Sequence, residues 1–426
     1  MPKLRFLGGV EEVGRSSIFL ESIGGEGILL DSGVSLDHTV RFPAYVQPSN
    51  VTAIAISHCH LDHVGSAPLF FIGGNPKAIM TSMTRTLSRI LLLDMLKIAK
   101  TYLPFDTIEV RRLLDLASAV QNRERIGVGS GGISVELFNA GHVIGASQVL
   151  IEADGIRTLY TGDMNVNATR TVPPADVDFR DQIDVLITES TYASIDHPSR
   201  DTIEKQFVEE VEQIVEEGGR VLVPAFGVGR SQEIIAVLEA HGFRYPVMLD
   251  GMARTVNDIF MSNLPALNEP DLFAKAVNSV TIMQSGNDRQ AALGQPGVIV
   301  TPAGMLKGGP SVLYSEEIAK RPKDAIFLVS YQVEGTPGAM LLKEKVLPLG
   351  GKLVKVRARI KQFDFSSHNG REDYVKFAKT ISPEYAFIVH GSRQNVEFLS
   401  KEMEQIGIPH VIKPKVGIEY STGPKA

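Results

Sequence analysis

Residues 54–65 read Ile-Ala-Ile-Ser-His-Cys-His-Leu-Asp-His-Val-Gly, an apolar run that ends in three histidines and an aspartate. The pattern is H-x-H-x-D-H, and its members are His58, His60, Asp62 and His63. The chain has only 10 histidines in 426 residues, so three in this short stretch are a marked enrichment. Imidazole and carboxylate together suit zinc, and also manganese or iron. The stretch therefore predicts a metal site.

The spacing of these side chains indicates more than one metal. On an extended backbone, alternate side chains point to the same side, so His58 and His60 are expected to converge while Cys59 faces away. Asp62 and His63 are expected to follow a bend and to face a second point. This arrangement favours two adjacent metals over one.

Composition sets broad limits on the protein. A chain of 426 residues is long enough for two domains, and 43% hydrophobic with 22% charged residues is ordinary for a globular protein. The net charge of −6 gives no global case for nucleic-acid binding, which must then come from local patches. One cysteine excludes an intrachain disulfide and fits a reducing cytoplasm. The sequence shows neither a signal peptide nor an apolar run of about 20 residues that could span a membrane.

Two patterns of secondary structure follow each other along the chain. The first region predicts strands with glycine-rich turns, then a helix over residues 81–100 and a second one near Ile108–Val120. From about residue 200, helices alternate with short buried strands. This alternation predicts a parallel, doubly wound sheet in a separate domain.

Several apolar runs end in a residue that could bind a metal or transfer a proton: Asp31, His58, Asp163, Glu189 and His390. In α/β sheets, sites gather outside the carboxyl ends of the strands. These strand ends could therefore converge on one cleft. His142 and His368, in loops of small residues, could join them.

With these residues in view, nearly the whole chain resembles the metallo-β-lactamase superfamily and its β-CASP nucleases. The lactamase-type motifs occur in the family's order, and three further motifs follow: Glu189 in TES, His368 in FDFSSH and His390 in IVHGS. A histidine at the third of these is typical of the RNA-acting branch. The nearest likeness is to archaeal proteins related to the cleavage and polyadenylation specificity factor nuclease and to ribonuclease J.

The resemblance implies an α/β fold, with an αββα four-layer sandwich interrupted by an inserted β-CASP α/β domain that has a parallel sheet. The implied boundaries are 1–193 and 363–426 for the two parts of the metallo-β-lactamase domain and 194–362 for the insert. No KH-type RNA-binding region precedes the motifs, so a short member with only the catalytic core is expected.

The resemblance also implies two zinc ions per chain. One would be held by His58, His60 and His142, the other by Asp62, His63 and His390, with Asp163 between them. Asp31 would orient a ligand or the nucleophile. His368 would bind phosphate and protonate the leaving group, held in place by Glu189. The catalytic set is then His368, Glu189, Asp31 and Asp62.

Contacts to RNA are expected from Arg230, Lys307, Ser366, Arg357 and Arg359. Arg230 lies in FGVGRS, a glycine-rich loop that opens a helix and could cradle an anion, although a third glycine typical of dinucleotide sites is absent. KLVKVRARIK is expected to form one strand with its basic residues on one face. That strand could track an RNA backbone or equally be a charged edge strand that resists aggregation.

The sequence thus predicts a zinc-dependent ribonuclease that hydrolyses phosphodiester bonds of single-stranded RNA with a two-metal-activated hydroxide. It would act as an endonuclease, a 5′-to-3′ exonuclease or both, as a homodimer or within an RNA-processing complex. The alternatives are a metal-dependent hydrolase of thioesters or lactams and a non-catalytic scaffold for RNA processing.

Overall fold

The computed structural model describes residues 1–35, 40–98 and 103–422. The chain packs into two compact units. Unit 1 comprises residues 1–167, 174–196 and 367–426, and unit 2 comprises residues 168–173 and 197–366. The domain boundaries stated from the sequence (1–193, 194–362 and 363–426) remain a prediction.

Unit 1 contains a first sheet in which the amino-terminal strands pair with a strand from the far end of the chain. Its strands are β1 (Lys3–Gly8), β2 (Ser17–Glu21), β3 (Gly27–Leu30), β4 (Ala53–Ala55), β5 (Lys77–Met80), β6 (Ala117–Ala119) and β22 (Glu419–Ser421). They lie in the order β22-β1-β2-β3-β4-β5-β6. From β3 to β6 the strands run parallel, so their carboxyl ends share one edge.

A second sheet of unit 1 also joins distant segments. Its strands are β7 (Arg125–Val128), β8 (Ile133–Asn139), β9 (Ser147–Ala153), β10 (Ile156–Tyr160), β11 (Val185–Glu189), β20 (Tyr385–Val389) and β21 (His410–Ile412). They lie in the order β21-β20-β11-β10-β9-β8-β7. Here β10, β11, β20 and β21 run parallel.

The two sheets of unit 1 face each other across a core, and helices cover their outer faces. Leu4 and Phe6 of β1 lie in the core with Val149 and Ile187 of the second sheet. Helices α1 (Leu61–Val64), α2 (Ser82–Ile98) and α3 (Thr107–Asp115) follow strands of the first sheet, and α2 and α3 pack on its outer face. Helices α11 (Arg371–Ile381) and α12 (Arg393–Gln405) pack together, with α12 against β20. The predicted αββα layering is confirmed.

Unit 2 is a doubly wound α/β unit, as predicted. Its parallel strands are β12 (Arg220–Pro224), β13 (Val247–Leu249), β14 (Thr281–Ile282), β15 (Gly297–Thr301), β16 (Ala325–Leu328) and β19 (Arg359–Gln362), in the order β14-β13-β15-β12-β16-β19. A hairpin of β17 (Val346–Leu349) and β18 (Lys352–Lys355) adds a small antiparallel pair. The helices are α4 (Arg200–Glu216), α5 (Arg230–Ala240), α6 (Ala253–Met261), α7 (Pro270–Ser279), α8 (Gly286–Leu293), α9 (Gly309–Ile318) and α10 (Pro337–Glu344).

Two local predictions are wrong. The helix expected near Ile108–Val120 ends at Asp115, because the next residues pair with β5 as strand β6. KLVKVRARIK does not form one strand: β18 ends at Lys355 and β19 begins at Arg359, with Val356 and Ala358 buried between them. The last two residues of the helix predicted over 81–100 lie outside the described residues. Among the helices that the structure describes, none is both long and apolar enough to cross a membrane.

Candidate metal centre and active site

The predicted site residues of unit 1 gather at the carboxyl ends of parallel strands. Asp31 follows β3, His58 follows β4, Asp163 follows β10, Glu189 ends β11 and His390 follows β20. Asp31 and His390 both adopt left-handed backbone conformations, with φ of 56° and 47°. Such conformations are uncommon outside glycine and concentrate at functional sites.

A first group of metal-ligand atoms comes from three histidines and Asp163. The Nδ1 atom of His60 lies 3.1 Å from His58 Nε2 and 3.2 Å from His142 Nε2. Asp163 Oδ2 lies 3.7 Å from each of the same two Nε2 atoms. A tetrahedral ion with ligand distances of about 2.1 Å holds its ligand atoms about 3.4 Å apart. The group therefore has the spacing of a tetrahedral metal site.

A second group shares Asp163 through its other oxygen. Asp163 Oδ1 lies 3.3 Å from His63 Nε2 and 3.1 Å from His390 Nδ1. Asp62 Oδ2 lies 3.4 Å from His390 Nε2 and 4.0 Å from His63 Nε2. The two oxygens of Asp163 thus face different sets of imidazoles, as expected of a carboxylate that lies between two metals.

Two buried atoms of these groups lack a hydrogen-bond partner among the described residues: Asp163 Oδ1 and His390 Nε2. Leaving buried polar atoms unpaired costs about 1–3 kcal/mol each, so such atoms call for a ligand. Carboxylate and imidazole are donors for divalent transition metals. The donor set, its spacing and the unpaired atoms therefore fit a divalent metal site.

Burial and neighbouring carboxylates separate the imidazoles into two classes. Burial lowers the pKa of His58, His60 and His142, so these rings are neutral, the form that binds metals. Burial also opposes charge on His63, but the carboxylates of Asp163, Asp31 and Asp62 outweigh it and raise its pKa. Cys59 is buried, and burial raises the pKa of its thiol to about 12, so it stays a thiol rather than a ligand.

Asp31 orients His63 rather than joining either group. Its Oδ2 accepts a hydrogen bond from His63 Nδ1 at 2.7 Å, which leaves Nε2 of His63 facing Asp163. The same carboxylate accepts bonds from the Ser57 amide and hydroxyl, both at 2.7 Å, and from the Tyr160 hydroxyl at 2.8 Å. Partners of this kind fix the ring orientation of metal-binding histidines. Ser57 and Tyr160 were missed from the sequence, where they appear only as strand residues.

His368 lies beside the metal groups and is held by Glu189. Its Nδ1 donates to Glu189 Oε1 at 2.8 Å, and its ring centroid is 4.6 Å from that of His142. Glu189 also accepts bonds from the amides of Met164 at 2.9 Å and Thr191 at 3.2 Å. The pKa of the buried Tyr374 hydroxyl is raised, mainly by burial and to a smaller extent by the negative charge of Glu189. Tyr374 was also missed from the sequence.

All of the predicted RNA contacts belong to unit 2, whereas the residues of the metal groups belong to unit 1. Arg230 opens α5, and Lys307 is exposed on the β15–α9 loop. The pKa of Asp364 is lowered. Burial alone would raise it, but hydrogen bonds from His197 and the Ser366 amide, together with the charge of Arg230, outweigh the effect of burial. Arg230 therefore lies within reach of the segment that contains Ser366.

The basic residues of KLVKVRARIK have different surroundings. Arg359 and Lys361 of β19 form ion pairs with Glu217 and Glu210 at α4. Arg357 is exposed between β18 and β19, and its amide donates to the Ala319 carbonyl. The ion pairs favour the reading of β19 as a charged edge strand.

Family models match successive parts of the chain. The metallo-beta-lactamase superfamily matches residues 10–225, and the Beta-Casp domain matches residues 231–341. A Zn-dependent metallo-hydrolase RNA specificity domain matches residues 353–414. The last match includes His368 and His390, the two site residues that follow unit 2.

Curated relatives cover nearly the whole chain. RNase aCSPSF2 of Saccharolobus solfataricus is 39% identical over 98% of this chain and 85% of its own length. Probable RNase MJ4 of Methanocaldococcus jannaschii is 34% identical over 97% and 98%. Cleavage and polyadenylation specificity factor 73 of Drosophila melanogaster is 29% identical over 95% and 62%. A crystal structure of a protein of unknown function from Enterococcus faecalis shares the fold, with a TM-score of 0.62 at 15% identity over 98% of this chain and 99% of its own.

Proposed function

The chain belongs to the metallo-β-lactamase superfamily and carries its Beta-Casp domain, and from this premise we propose that it is a zinc-dependent ribonuclease acting on single-stranded RNA. The observation that carries the proposal is the position of Asp163, whose two oxygens face two imidazole groups, with the His368–Glu189 pair beside them. Relatives named as RNases, together with the match to an RNA specificity domain, support RNA as the substrate class.

In this proposal two zinc ions bind per chain. His58, His60 and His142 would hold one, His63, Asp62 and His390 would hold the other, and one oxygen of Asp163 faces each set. The spacing of the ligand atoms supports the assignment. Bound zinc would supply Lewis-acid stabilisation of phosphodiester oxygens and lower the pKa of water.

The chain's own residues position and protonate the substrate. Asp31 fixes the ring of His63, so that Nε2 and not Nδ1 faces the site. Glu189 accepts a hydrogen bond from Nδ1–H of His368, so Nε2–H is the donor that His368 would offer to a phosphate. His368 would donate a hydrogen bond from Nε2–H to a phosphate oxygen. It would give that proton to the leaving oxygen as hydroxide from water bonds to phosphorus and the bond from phosphorus to the leaving oxygen breaks. The set comprising His368, Glu189, Asp31 and Asp62 then performs the catalytic and orienting roles.

The test uses single-stranded RNA labelled at its 5′ or its 3′ end, with the purified wild type, His63→Ala and Cys59→Ala. Cys59 lies between two ligand histidines but takes part in none of the described ligand groups, so its variant controls for substitution in this loop. We expect metal-dependent cleavage by wild type and Cys59→Ala and its loss in His63→Ala. Absence of metal-dependent cleavage by the wild type, or equal cleavage by His63→Ala, contradicts the proposal.

The same end labels distinguish endonuclease action from 5′-to-3′ exonuclease action, both of which we propose. Labelled fragments of intermediate length from both the 5′-labelled and the 3′-labelled strand indicate endonuclease action. Release of the 5′ label as a mononucleotide, with stepwise shortening of the 3′-labelled strand, indicates 5′-to-3′ exonuclease action. Faster hydrolysis of a thioester than of RNA would favour the small-molecule hydrolase instead.

We further propose that the protein is located in a reducing cytoplasm, which the single buried cysteine supports. We also propose that it assembles as a homodimer or within an RNA-processing complex.

A further inference from the structure

The residue after His368 is bonded to the segment that follows Asp163. Asn369 is fully buried. Its amide donates to the Met164 carbonyl at 2.9 Å, and its Oδ1 accepts a hydrogen bond from the Val166 amide at 2.8 Å. Because Met164 comes directly after Asp163, Asn369 ties the neighbour of the proposed acid to the neighbour of the carboxylate between the two metal groups.

These two hydrogen bonds have the pattern of a parallel β-bridge. In such a bridge, one residue donates to the carbonyl before its partner residue and accepts from the amide after it. Asn369 does both around Asn165, except that its side-chain oxygen takes the place of a backbone carbonyl. Half of the bridge therefore depends on the asparagine side chain, and alanine at this position would lose it.

The bond to Val166 also defines the orientation of the Asn369 carboxamide. A backbone N–H group only donates, so the atom that it meets is Oδ1 and not Nδ2. Nδ2 is buried and has no hydrogen-bond partner among the described residues. The acceptor oxygen is therefore the part of this side chain that bonds, and the Val166 amide is its partner.

The backbone of Met164 closes a cycle of hydrogen bonds that includes the proposed acid. Its amide donates to Glu189 Oε1 at 2.9 Å, and the same oxygen accepts from His368 Nδ1 at 2.8 Å. Its carbonyl accepts from the amide of Asn369, the next residue after His368. The imidazole of His368 is thus held to the segment after Asp163 through Glu189 on one side and through Asn369 on the other.

The residue before His368 is held as well. The Ser367 carbonyl accepts a hydrogen bond from His142 Nδ1 at 3.0 Å. His142 belongs to the first metal group, so His368 lies between a contact to that group and the contacts of Asn369 to the segment after Asp163. Of the side chains that make these contacts, that of Asn369 can be replaced without changing a proposed metal ligand or the proposed acid.

Proton transfer is sensitive to position. A general acid acts over a heavy-atom distance of about 2.6–3.2 Å, and a displacement of about 1 Å can lower a rate by about 100-fold. The bonds of Asn369 fix His368 relative to Asp163, whose oxygens face the two metal groups. Loss of the side-chain bond would therefore act on the distance that proton transfer requires.

We propose that Asn369 is a positioning residue, whose side-chain bond to the Val166 amide holds His368 at proton-transfer distance from a phosphodiester at the metal groups. The inference rests on the proposed function, because it concerns the acid of that reaction. Asn369 is given no contact to RNA and none to a metal. Its effect is therefore expected in the rate of bond cleavage and not in binding.

The test changes the leaving group of the substrate. RNA releases an alkoxide, which needs a proton, whereas the p-nitrophenyl ester of a nucleoside 5′-phosphate releases p-nitrophenolate, which leaves without one. Metal-loaded wild type, His368→Ala and Asn369→Ala are compared on both substrates, and His368→Ala calibrates complete loss of the donor. If the wild type does not hydrolyse the ester, a strand with sulfur at the leaving position replaces it, because a thiolate also leaves without a proton.

Asn257→Ala is the matched control. Asn257 is a buried asparagine of α6 in unit 2, and its Oδ1 accepts from Gln232 Nε2 at 3.0 Å. Its Nδ2, like that of Asn369, has no hydrogen-bond partner in the part of the chain that the structure describes. The control thus removes the same groups from a similarly buried position. If Asn369→Ala does not fold, Asn369→Ser replaces it, because it leaves a smaller void and its hydroxyl reaches less far than Oδ1.

We expect Asn369→Ala to lower kcat for RNA by about 10- to 100-fold and kcat for the ester by less than about 3-fold. KM and metal content should stay close to those of the wild type. His368→Ala should show the same selective loss more strongly, and Asn257→Ala should show none. An equal loss on both substrates in Asn369→Ala, no loss on either, or a loss of metal would overturn the inference.

The same measurements separate failure of the inference from failure of the proposed function. If the wild type cleaves RNA and His368→Ala shows the selective loss but Asn369→Ala does not, only the inference is overturned. If His368→Ala loses both substrates equally, His368 is not the proton donor, and the inference falls with that role. If the wild type does not cleave RNA with metal bound, the proposed function itself is wrong.

Discussion

His368 Nδ1 lies 2.8 Å from Glu189 Oε1, although the two residues are 179 positions apart in the chain. The carboxylate ends β11, and two backbone amides hold it in place. The orientation of His368 is therefore fixed by a residue that lies before residues 197–366 of unit 2 in the sequence, whereas His368 lies after them.

Glu189→Gln should lower kcat for RNA cleavage by about 100-fold or more, the usual contribution of a positioned proton donor. A glutamine has one acceptor oxygen, whereas Glu189 accepts from His368 and from two amides. KM and metal content should change little, because Glu189 belongs to neither of the proposed zinc sites. Steady-state kinetics and metal analysis of the purified variant check this. Loss of metal with loss of activity would instead place Glu189 among the ligands.

Tyr374→Phe should have a smaller effect in the same direction, a loss of kcat of about 10-fold or less. The hydroxyl is buried, and the charge of Glu189 contributes to its raised pKa, so its removal takes away a polar neighbour of the carboxylate but none of the bonds from His368, Met164 and Thr191. The readout is the pH profile of kcat together with KM. A purely structural loss would lower the active fraction, and so the apparent kcat, but would leave KM and the pH profile unchanged. Wild-type kinetics in Tyr374→Phe would show that the hydroxyl does not position Glu189.

Asp163→Asn should lose more metal than His142→Ala. Asp163 has one oxygen facing each group, whereas His142 contacts only the first. We expect the wild type to bind about two metals, His142→Ala about one, and Asp163→Asn fewer than one after dialysis. Inductively coupled plasma mass spectrometry measures the content. Equal retention by the two variants would contradict the shared position of Asp163.

Glu233→Gln should destabilise unit 2 in a pH-dependent way. Glu233 is buried in α5, where burial raises its pKa, but Arg200, Thr171 and the Arg170 amide outweigh this and lower it below 4.5. A carboxyl group whose pKa is lower in the folded state stabilises the protein above its unfolded pKa, and this stabilisation is lost as pH falls through the folded pKa.

At pH 7 the loss in free energy of unfolding should be about 1–3 kcal/mol, since the variant leaves the partly exposed Arg200 with only the more distant Glu204 carboxylate as a charged partner. Near pH 3 the wild type and the variant should unfold at more similar temperatures. Glu239→Gln, on the same helix, is the control and should change stability little. A pH-independent difference between wild type and Glu233→Gln would refute the assignment.

Arg357→Ala should reduce the salt dependence of RNA binding more than Arg359→Ala does. Arg359 forms an ion pair with Glu217, whereas Arg357 is exposed outside the strand. Each phosphate contact to a single strand contributes about 0.7 to the slope of log affinity against log salt. We expect a fall of about that size for Arg357→Ala, measured by fluorescence anisotropy. A larger fall for Arg359→Ala would mean that RNA displaces Glu217.

The sequence was informative where chemistry and strand ends coincide. The H-x-H-x-D-H stretch, Asp163, Glu189 and His390 were predicted to converge, because carboxyl ends of parallel strands share an edge. Ser57, Tyr160 and Tyr374 were not found, since a serine or tyrosine in a buried element looks the same whether or not its hydroxyl lies beside a carboxylate. The break at Val356–Ala358 was also missed, because alternation of basic and apolar residues continues through it.

The pairing of β20 with β11 has a consequence for protein synthesis. A ribosome makes β11 at residues 185–189 but reaches β20 only at 385–389. At about 5–20 residues per second, the delay is roughly 10–40 s. Throughout this interval the nascent chain has His58, His60 and His63 but lacks His390, and for most of it the chain also lacks His368. On the proposed assignment, the metal centre would therefore be incomplete while most of its own messenger is being read, and activity would begin only after β20, which is followed by His390, joins the sheet.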